Sequence, residues 1–344
     1  MADQVEAFVY SGGVMNPLGT LGGSYSYALA INDAGQVVGW SQTASGTNDA
    51  FLYSGGVMTD LGTLGGAGSI ASGINDAGQV VGWSQTASGN PVYEPFLYSG
   101  GVMTPLGTLG GASGQAFGID SAGQVTGYSA TAGGSSHAFL YSGGIMNDLG
   151  TLGGGTDSWA FGINGAGQVV GRSNGSGSPG YYSAILYSGG VMIDLNSFLP
   201  AHSGWHLSAA TAINDSGQIV GEGGAPGCWG GFLYSGGTVT CLGTLIPTAI
   251  NDAGQVVGYS YRSDGTGWDA YLYSGGSMID LGRLGGAHSV ATGINDQGQI
   301  AGYSDLPEPS CLALSGAAAA LLLLLRKTIA LPLTRAGVSG KPRA

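Results

Sequence analysis

The sequence predicts an all-β protein, a seven-bladed β-propeller built from four-stranded repeats of about 44 residues. Three observations carry this reading. The motif [VL]-Tyr-Ser-Gly-Gly recurs at Tyr10, Tyr53, Tyr98, Tyr141, Tyr187, Tyr234 and Tyr273, at intervals of 39 to 47 residues. A period of that size belongs to propellers and stacked arrays. A second motif, Ile-[ND]-x-x-Gly-Gln-[VI], follows each one, beginning at Ile31, Ile74, Ile119, Ile163, Ile213, Ile250 and Ile294. Between the motifs there is no helical period, and runs such as Phe51-Leu52-Tyr53 and Val80-Val81 have no polar face. Both sides of such strands must be buried, as in sheets packed face to face around an axis.

Within a repeat, Ala-Phe-Leu-Tyr is a strand, Ser-Gly-Gly a tight turn and Val-Met-x-Asp-Leu the returning strand, the pattern of a Gly-centred hairpin. The second half is Ala-x-[AG]-Ile, the turn Asn-Asp-Ala-Gly, then Gln-Val-Val-Gly-[WY]. Asn and Asp suit that turn because their short side chains bond the backbone, and Gly accepts a positive φ. The strand before it carries small residues at two alternate positions, such as Ala28 and Ala30 or Ala71 and Gly73. Alternate positions share a face, so both sets are expected to face a crowded axis. Ala-x-[AG]-Ile is thus placed innermost, with the other three strands following outward. The chain then begins with an outer hairpin, Ala7 to Leu18, and its repeats end with an inner one, Val290 to Ser304. Pairing the two closes the ring and removes an exposed sheet edge.

Composition narrows the function. Hydrophobic residues are 43% of the chain and charged residues only 8%, far below the usual quarter. In residues 1–305 the basic residues are Arg172, Arg262 and Arg283, against nineteen Asp and Glu. Such a surface repels phosphate backbones, which excludes nucleic-acid binding. Cys228 and Cys241 flank one Tyr-Ser-Gly-Gly turn, so either a disulfide across a hairpin or two unpaired small residues fits them. The cysteine spacing gives no zinc site.

The links between inner and outer hairpins, such as Gln42–Asp49, Gln85–Glu94 and Asn174–Ser183, vary in length and are rich in Ser, Gly and Thr. In the assigned strand order they share one face with the Gly-Thr-Leu-Gly-Gly loops, and the tight turns occupy the other. Variable loops on a rigid scaffold are where binding usually sits. Tyr93, Trp159, Tyr181, Tyr182, Trp205, Trp229 and Trp268 fall in or beside these loops and are the candidate ligand-binding residues. Two readings stand: stacking on sugar rings, or packing between repeats.

No catalytic, metal or cofactor constellation emerges. His202 and His206 have helical spacing, but Ser203-Gly204 between them favours a solvated loop. The aspartates of Asn-Asp-x-Gly (Asp33, Asp76, Asp215, Asp252, Asp296) lack the alternating oxygen ligands of a calcium loop, and turn chemistry accounts for them. Gly-Thr-Leu-Gly-Gly has neither the Lys nor the following helix of a phosphate loop.

After Ser304 the pattern changes. Pro307-Glu308-Pro309 is followed by an uncharged run, Cys311 to Leu325, and by Arg326-Lys327. Seven leucines at roughly −0.5 kcal/mol each make a marginal span, shorter than the ~20 residues of a full crossing. A helix is expected there. Residues 306–327 are read as a sorting tail and 328–344 as a basic, disordered segment. Residues 1–6 (MADQVE) carry none of the three regions of a signal peptide, so export calls for a leader upstream of Met1.

Over nearly all of residues 6–304 the repeats resemble the HAF family of extracellular bacterial repeat proteins. The eponymous triplet stands as His137-Ala138-Phe139, with Asp49-Ala-Phe, Glu6-Ala-Phe and Asp269-Ala-Tyr elsewhere. The tail Pro307, Glu308, Pro309, apolar run, Arg326, Lys327 resembles the PEP-CTERM sorting signal. This resemblance implies an exported protein, held transiently in the inner membrane and released by exosortase in bacteria that make exopolysaccharide. The expectation is a non-enzymatic cell-surface or matrix module that binds exopolysaccharide or surface proteins. The alternative is a polysaccharide-active propeller enzyme, a lyase or glycosidase.

Overall fold

The computed structural model describes residues 4–87, 93–175 and 181–307. They form an all-β structure of four-stranded antiparallel sheets. In the first, Gly22–Ile31 pairs with Val37–Thr43, that strand with Asn48–Ser54, and that with Val57–Asp60. The same inner-to-outer order recurs in sheets that begin with Gly65–Ile74, Gly110–Ile119, Ser158–Ile163, His206–Ile213 and Ile246–Ile250. A last group joins the two ends of the repeat region. Ser289–Ile294 pairs with Ile300–Asp305, which pairs with Val5–Ser11, which pairs with Val14–Pro17. The middle ladder runs from Val5 opposite Asp305 to Tyr10 opposite Ile300, and Leu306 N–H donates to Gln4 O at 2.8 Å.

Apolar clusters fill the spaces between consecutive sheets. Val37 and Phe51 pack with Ala7 and Ala301 of the preceding group, whereas Val38 and Ala50 pack with Ala71, Val80 and Phe96 of the next sheet. Adjacent residues of one strand thus face opposite neighbours, which is why the strands show no polar side. His137 of the eponymous triplet meets Asp148 on the outer strand, Nδ1 to Oδ2 at 2.8 Å, while Ala138 and Phe139 are fully buried. At the equivalent place Asp49 faces Asp60. Burial, then the Asp60 charge, raises the Asp49 carboxyl above its ordinary value.

The small residues of the inner strands do not face the axis together, and this corrects the sequence expectation. The register shifts by one residue between Ala28 and Ala30, and at the same place in the other inner strands. Such a bulge breaks the two-residue alternation. Ala28 packs toward the preceding group and Ala30 toward the following sheet. The residues between them (Leu29, Ser72, Phe117, Phe161, Thr211, Thr248 and Thr292) line the axial channel together with the second small set, from Ala30 to Gly293, whereas the first small set does not reach it. The second small position is where inner strands abut: a Cβ at Gly293 would meet Ala30 Cα at 3.2 Å.

A belt of buried amides joins the sheets at one end of this channel. Asn32 Nδ2 donates to Gln36 Oε1 in its own turn at 2.9 Å and to Asn75 O in the next sheet at 3.0 Å. Asn75, Asn164, Asn214, Asn251 and Asn295 repeat both bonds, the last reaching back to Asn32 O at 3.0 Å. Asp120 interrupts the series. Its Oδ1 accepts from Gln124 N–H at 2.7 Å, but the buried Oδ2 has no partner. Asp120→Asn supplies the missing donor for Gln124 Oε1 and Asn164 O. Removing an unsatisfied buried acceptor is expected to stabilise the protein by about 1–3 kcal/mol, read as a higher urea midpoint at unchanged m. An unchanged or lower midpoint would show that the carboxylate is not a defect.

The C-terminal helix expected over Cys311–Leu325, and Glu308, Pro309, Arg326 and Lys327 of the sorting motif, lie outside the described residues, as does Cys311. Pro307 is the last residue described. Among the described residues no helix is long and apolar enough to cross a membrane.

Candidate functional site

The tight turns and the variable links occupy opposite faces. On the turn face, Asp33, Asp76, Asp215, Asp252 and Asp296 ring a recess of about 240 Å3 at the mouth of the channel. These carboxylates do more than close their own turns. Asp76 Oδ1 accepts Asp33 N–H at 2.9 Å, and Asp252, Asp296 and Asp33 accept from Asp215, Asp252 and Asp296 in the same way. Asp215 likewise accepts Gly165 N–H at 2.7 Å. Among the described residues no group of three or more His, Cys, Asp and Glu is placed to hold a metal ion.

Burial raises the Asp296 carboxyl above its ordinary value, and the charges of Asp252, Asp33 and Asp215 raise it further, against the lowering bond from Asp252 N–H. A carboxyl raised in the folded state contributes stability at low pH and loses it as pH climbs through the folded pKa. Asp296→Asn keeps an oxygen for Asp252 N–H and removes the charge. It is expected to raise the thermal midpoint at neutral pH, by a margin that shrinks as pH falls toward the ordinary carboxylate range. A gain independent of pH would show that repulsion is not its source.

On the variable face, the fifth sheet holds a groove of about 560 Å3 beside Trp229, His206, Ser208 and Glu222. Register builds it: His206 lies opposite Gly224, and Gly224 opposite Trp229. Two side chains thus stand on the strands either side of a residue that has none, their backbones two strand spacings, about 9.5 Å, apart. A Cβ on Gly224 would come within 2.8 Å of the Trp229 ring, so glycine is what lets the indole lie there. Trp229 is nonetheless 77% exposed, and Glu222 and His206 are exposed beside it. Ser208 sits in a bulge and donates its hydroxyl to Glu222 O at 3.0 Å. Cys228, the residue before Trp229, is disulfide-bonded to Cys241 on the outer strand, with Cα atoms 6.1 Å apart. The bond ties down the end of the strand that presents the indole.

The other candidate residues are placed differently. Trp159 and Tyr182 enclose the Arg172 guanidinium, whose carbon is 4.6 and 4.8 Å from their ring centroids. Trp268 packs on His288 at 4.1 Å, and Tyr93 meets the Trp83 ring edge-on at 4.8 Å. Trp205 is half-buried against the core between the fourth and fifth sheets. Tyr181 is 77% exposed, away from the groove. Of the seven, Trp229 alone lines the groove. His202 lies in a turn with φ 63° and His206 opens a strand, so they do not form a helical pair. Sequence reasoning passes over Glu222, although it replaces the aromatic of Gln-Val-Val-Gly-[WY] in Gln218-Ile-Val-Gly-Glu222.

No protein-family model matches the chain, and no curated protein matches it. Solved structures do. A TolB-like protein from Agrobacterium tumefaciens aligns with a TM-score of 0.50 at 13% identity, over 89% of this chain and 100% of that one. The fold is a β-propeller. A puromycin-hydrolyzing peptidase from Mycobacterium tuberculosis aligns at 0.50 and 12% identity, over 78% of this chain and 47% of that one. The β-propeller domain of the Trilobed protease from Pyrococcus furiosus aligns at 0.47 and 8% identity, over 76% and 82%. Identities this low speak for the propeller fold alone. The groove beside Trp229 must be read from its own residues.

Proposed function

We propose that the chain is a closed, seven-bladed propeller that works as an exported, non-enzymatic binding module, with an uncharged saccharide held in the Trp229 groove. The observation that carries this reading is the exposed indole over Gly224, flanked by His206 and Glu222. An indole offers a broad apolar face with small entropy cost. A carboxylate accepts two sugar hydroxyls, and the imidazole donates or accepts one more. The net charge of −12 disfavours anionic glycans. The Cys228–Cys241 bond supports an oxidising compartment. The resemblance of the tail to PEP-CTERM supports transient membrane attachment and release by exosortase near Pro307–Ser310.

The test is electrophoresis of the full chain through native gels cast with dextran, galactomannan or soluble β-glucan. Retardation by at least one is expected, with no new reducing ends or unsaturated products. Trp229→Ala should weaken it roughly tenfold, the effect of losing about 1.4 kcal/mol at a binding hot spot. Turnover of any polysaccharide would make the protein an enzyme instead. Unretarded migration in every gel would leave a structural spacer.

A further inference from the structure

A second cavity, of about 370 Å3, opens on the variable face between the first two sheets. Trp40, Thr47, Asn48, Ser69, Trp83 and Gln85 border it, and none of its lining residues is charged. It exists because equivalent strands differ at one place. One inner strand opens Gly22-Gly23-Ser24-Tyr25, and the next opens Gly65-Gly66-Ala67-Gly68. Tyr25 packs edge-on to Trp40 at 5.6 Å, and its hydroxyl accepts from Gln42 Nε2 at 3.2 Å. Gly68 offers neither ring nor hydroxyl, so the space that Tyr25 fills beside Trp40 stays open at Trp83, whose ring meets Tyr93 as well. Gln85, the counterpart of Gln42, keeps the bond from Ala67 N–H to its Oε1 at 3.1 Å. Its Nε2, and the exposed side-chain amide of Asn48, have no hydrogen-bond partner among the described residues.

We infer that this cleft is a second site for an uncharged sugar residue, so that one propeller holds polysaccharide at two places on the same face and bridges chains. The bridging rests on the reading of the Trp229 groove; the cleft stands on its own residues. Indoles from two successive sheets supply apolar surface for a pyranose ring. The Gln85 Nε2 donors and the Asn48 amide supply hydrogen bonds to hydroxyls, in a setting where no fixed charge selects for or against an ionised group. Both cavities open on the variable face, since Thr47 belongs to a link between hairpins and Asn48 opens the strand that follows it, and Pro226 and Gly227 form the corresponding link before Trp229. Two weak sites on one rigid body convert the second contact into an intramolecular one, and avidity then exceeds either affinity.

The full chain is titrated with the polysaccharide that retards it among dextran, galactomannan and soluble β-glucan, and followed by light scattering and native-gel retardation. Wild-type protein is expected to raise scattering to a maximum and lower it again when polysaccharide is in excess, as a bridging molecule does. Trp83→Ala should abolish the maximum and leave weaker, measurable retardation, because the Trp229 groove remains. Asn48→Ala, at an exposed position, guards against a folding defect and should weaken bridging in the same direction. Trp229→Ala should also remove the maximum, and the double variant should lose retardation entirely. Wild-type bridging by both Trp83→Ala and Asn48→Ala would overturn the second site. So would complete loss of binding in Trp229→Ala with neither cleft variant affected. Full retention in Trp229→Ala with loss in Trp83→Ala would instead sink the Trp229 reading and keep the cleft. If wild-type protein is retarded by none of the three, both fall.

Discussion

Gly127→Ala is expected to cost about 3 kcal/mol or more, beyond the usual range for a single substitution. The reason is backbone contact. A Cβ on Gly127 would overlap the Gln115 carbonyl oxygen on the inner strand, and would also press on Ala116 Cα and Phe139 Cε1, each at 2.8 Å. That carbonyl precedes Ala116, the residue opposite Gly127 in the ladder, and stands in the space a side chain would need. Gly39, Gly82, Gly171, Gly221, Gly258 and Gly302 meet their own inner strands in the same way, which accounts for the invariant glycine of Gln-Val-Val-Gly. Relief would require the inner and second strands to separate, and each strand there is packed on both sides. Gly100→Ala is the control. It sits at φ 60° with nothing within 4 Å of a Cβ, so it bears only the left-handed backbone penalty of about 1–2 kcal/mol. Urea midpoints of the two variants should differ clearly. Equal midpoints would mean that the close approach at Gly127 is easily relaxed.

Much of this architecture is legible in the sequence, because each strand carries its own signature. Turn residues at fixed offsets mark the hairpins, and apolar runs without a polar face mark burial on both sides. What escapes depends on geometry that a two-residue alternation cannot express. Ala28 and Ala30 look like one face until the bulge at Leu29 turns them to opposite neighbours. The same bulge brings bulky Phe117 and Phe161 to the axis, where small residues are expected. Site residues are harder still. Most loop aromatics singled out in the sequence pack on Arg172, His288, Trp83 or the core, because an aromatic near a loop satisfies packing and binding rules equally. Trp40 and Trp83 read as ordinary strand residues. The cleft between them depends on Gly68 standing where Tyr25 stands one repeat earlier, a difference that matters only once the sheets are side by side. Asp120 is visible in the motif, but its cost is not. That cost arises because six equivalent amides donate to the next sheet and a carboxylate cannot.

The proposed fold is one closed ring of repeats rather than an open array, with Val5–Ser11 paired to Ile300–Asp305. Removal of residues 1–20 tests this most directly. It deletes Val5–Ser11 and Val14–Pro17, and with them the ladder from Val5 opposite Asp305 to Tyr10 opposite Ile300. Phe8 is fully buried there, and one such side chain contributes about 1.5–3 kcal/mol. Ile300–Asp305 would become an exposed edge, open to pairing with other molecules. The truncated chain is therefore expected to unfold at a lower urea midpoint, several kcal/mol less stable against a typical total of about 5–15, and to aggregate on concentration. An unchanged midpoint, with the protein still monomeric, would contradict ring closure.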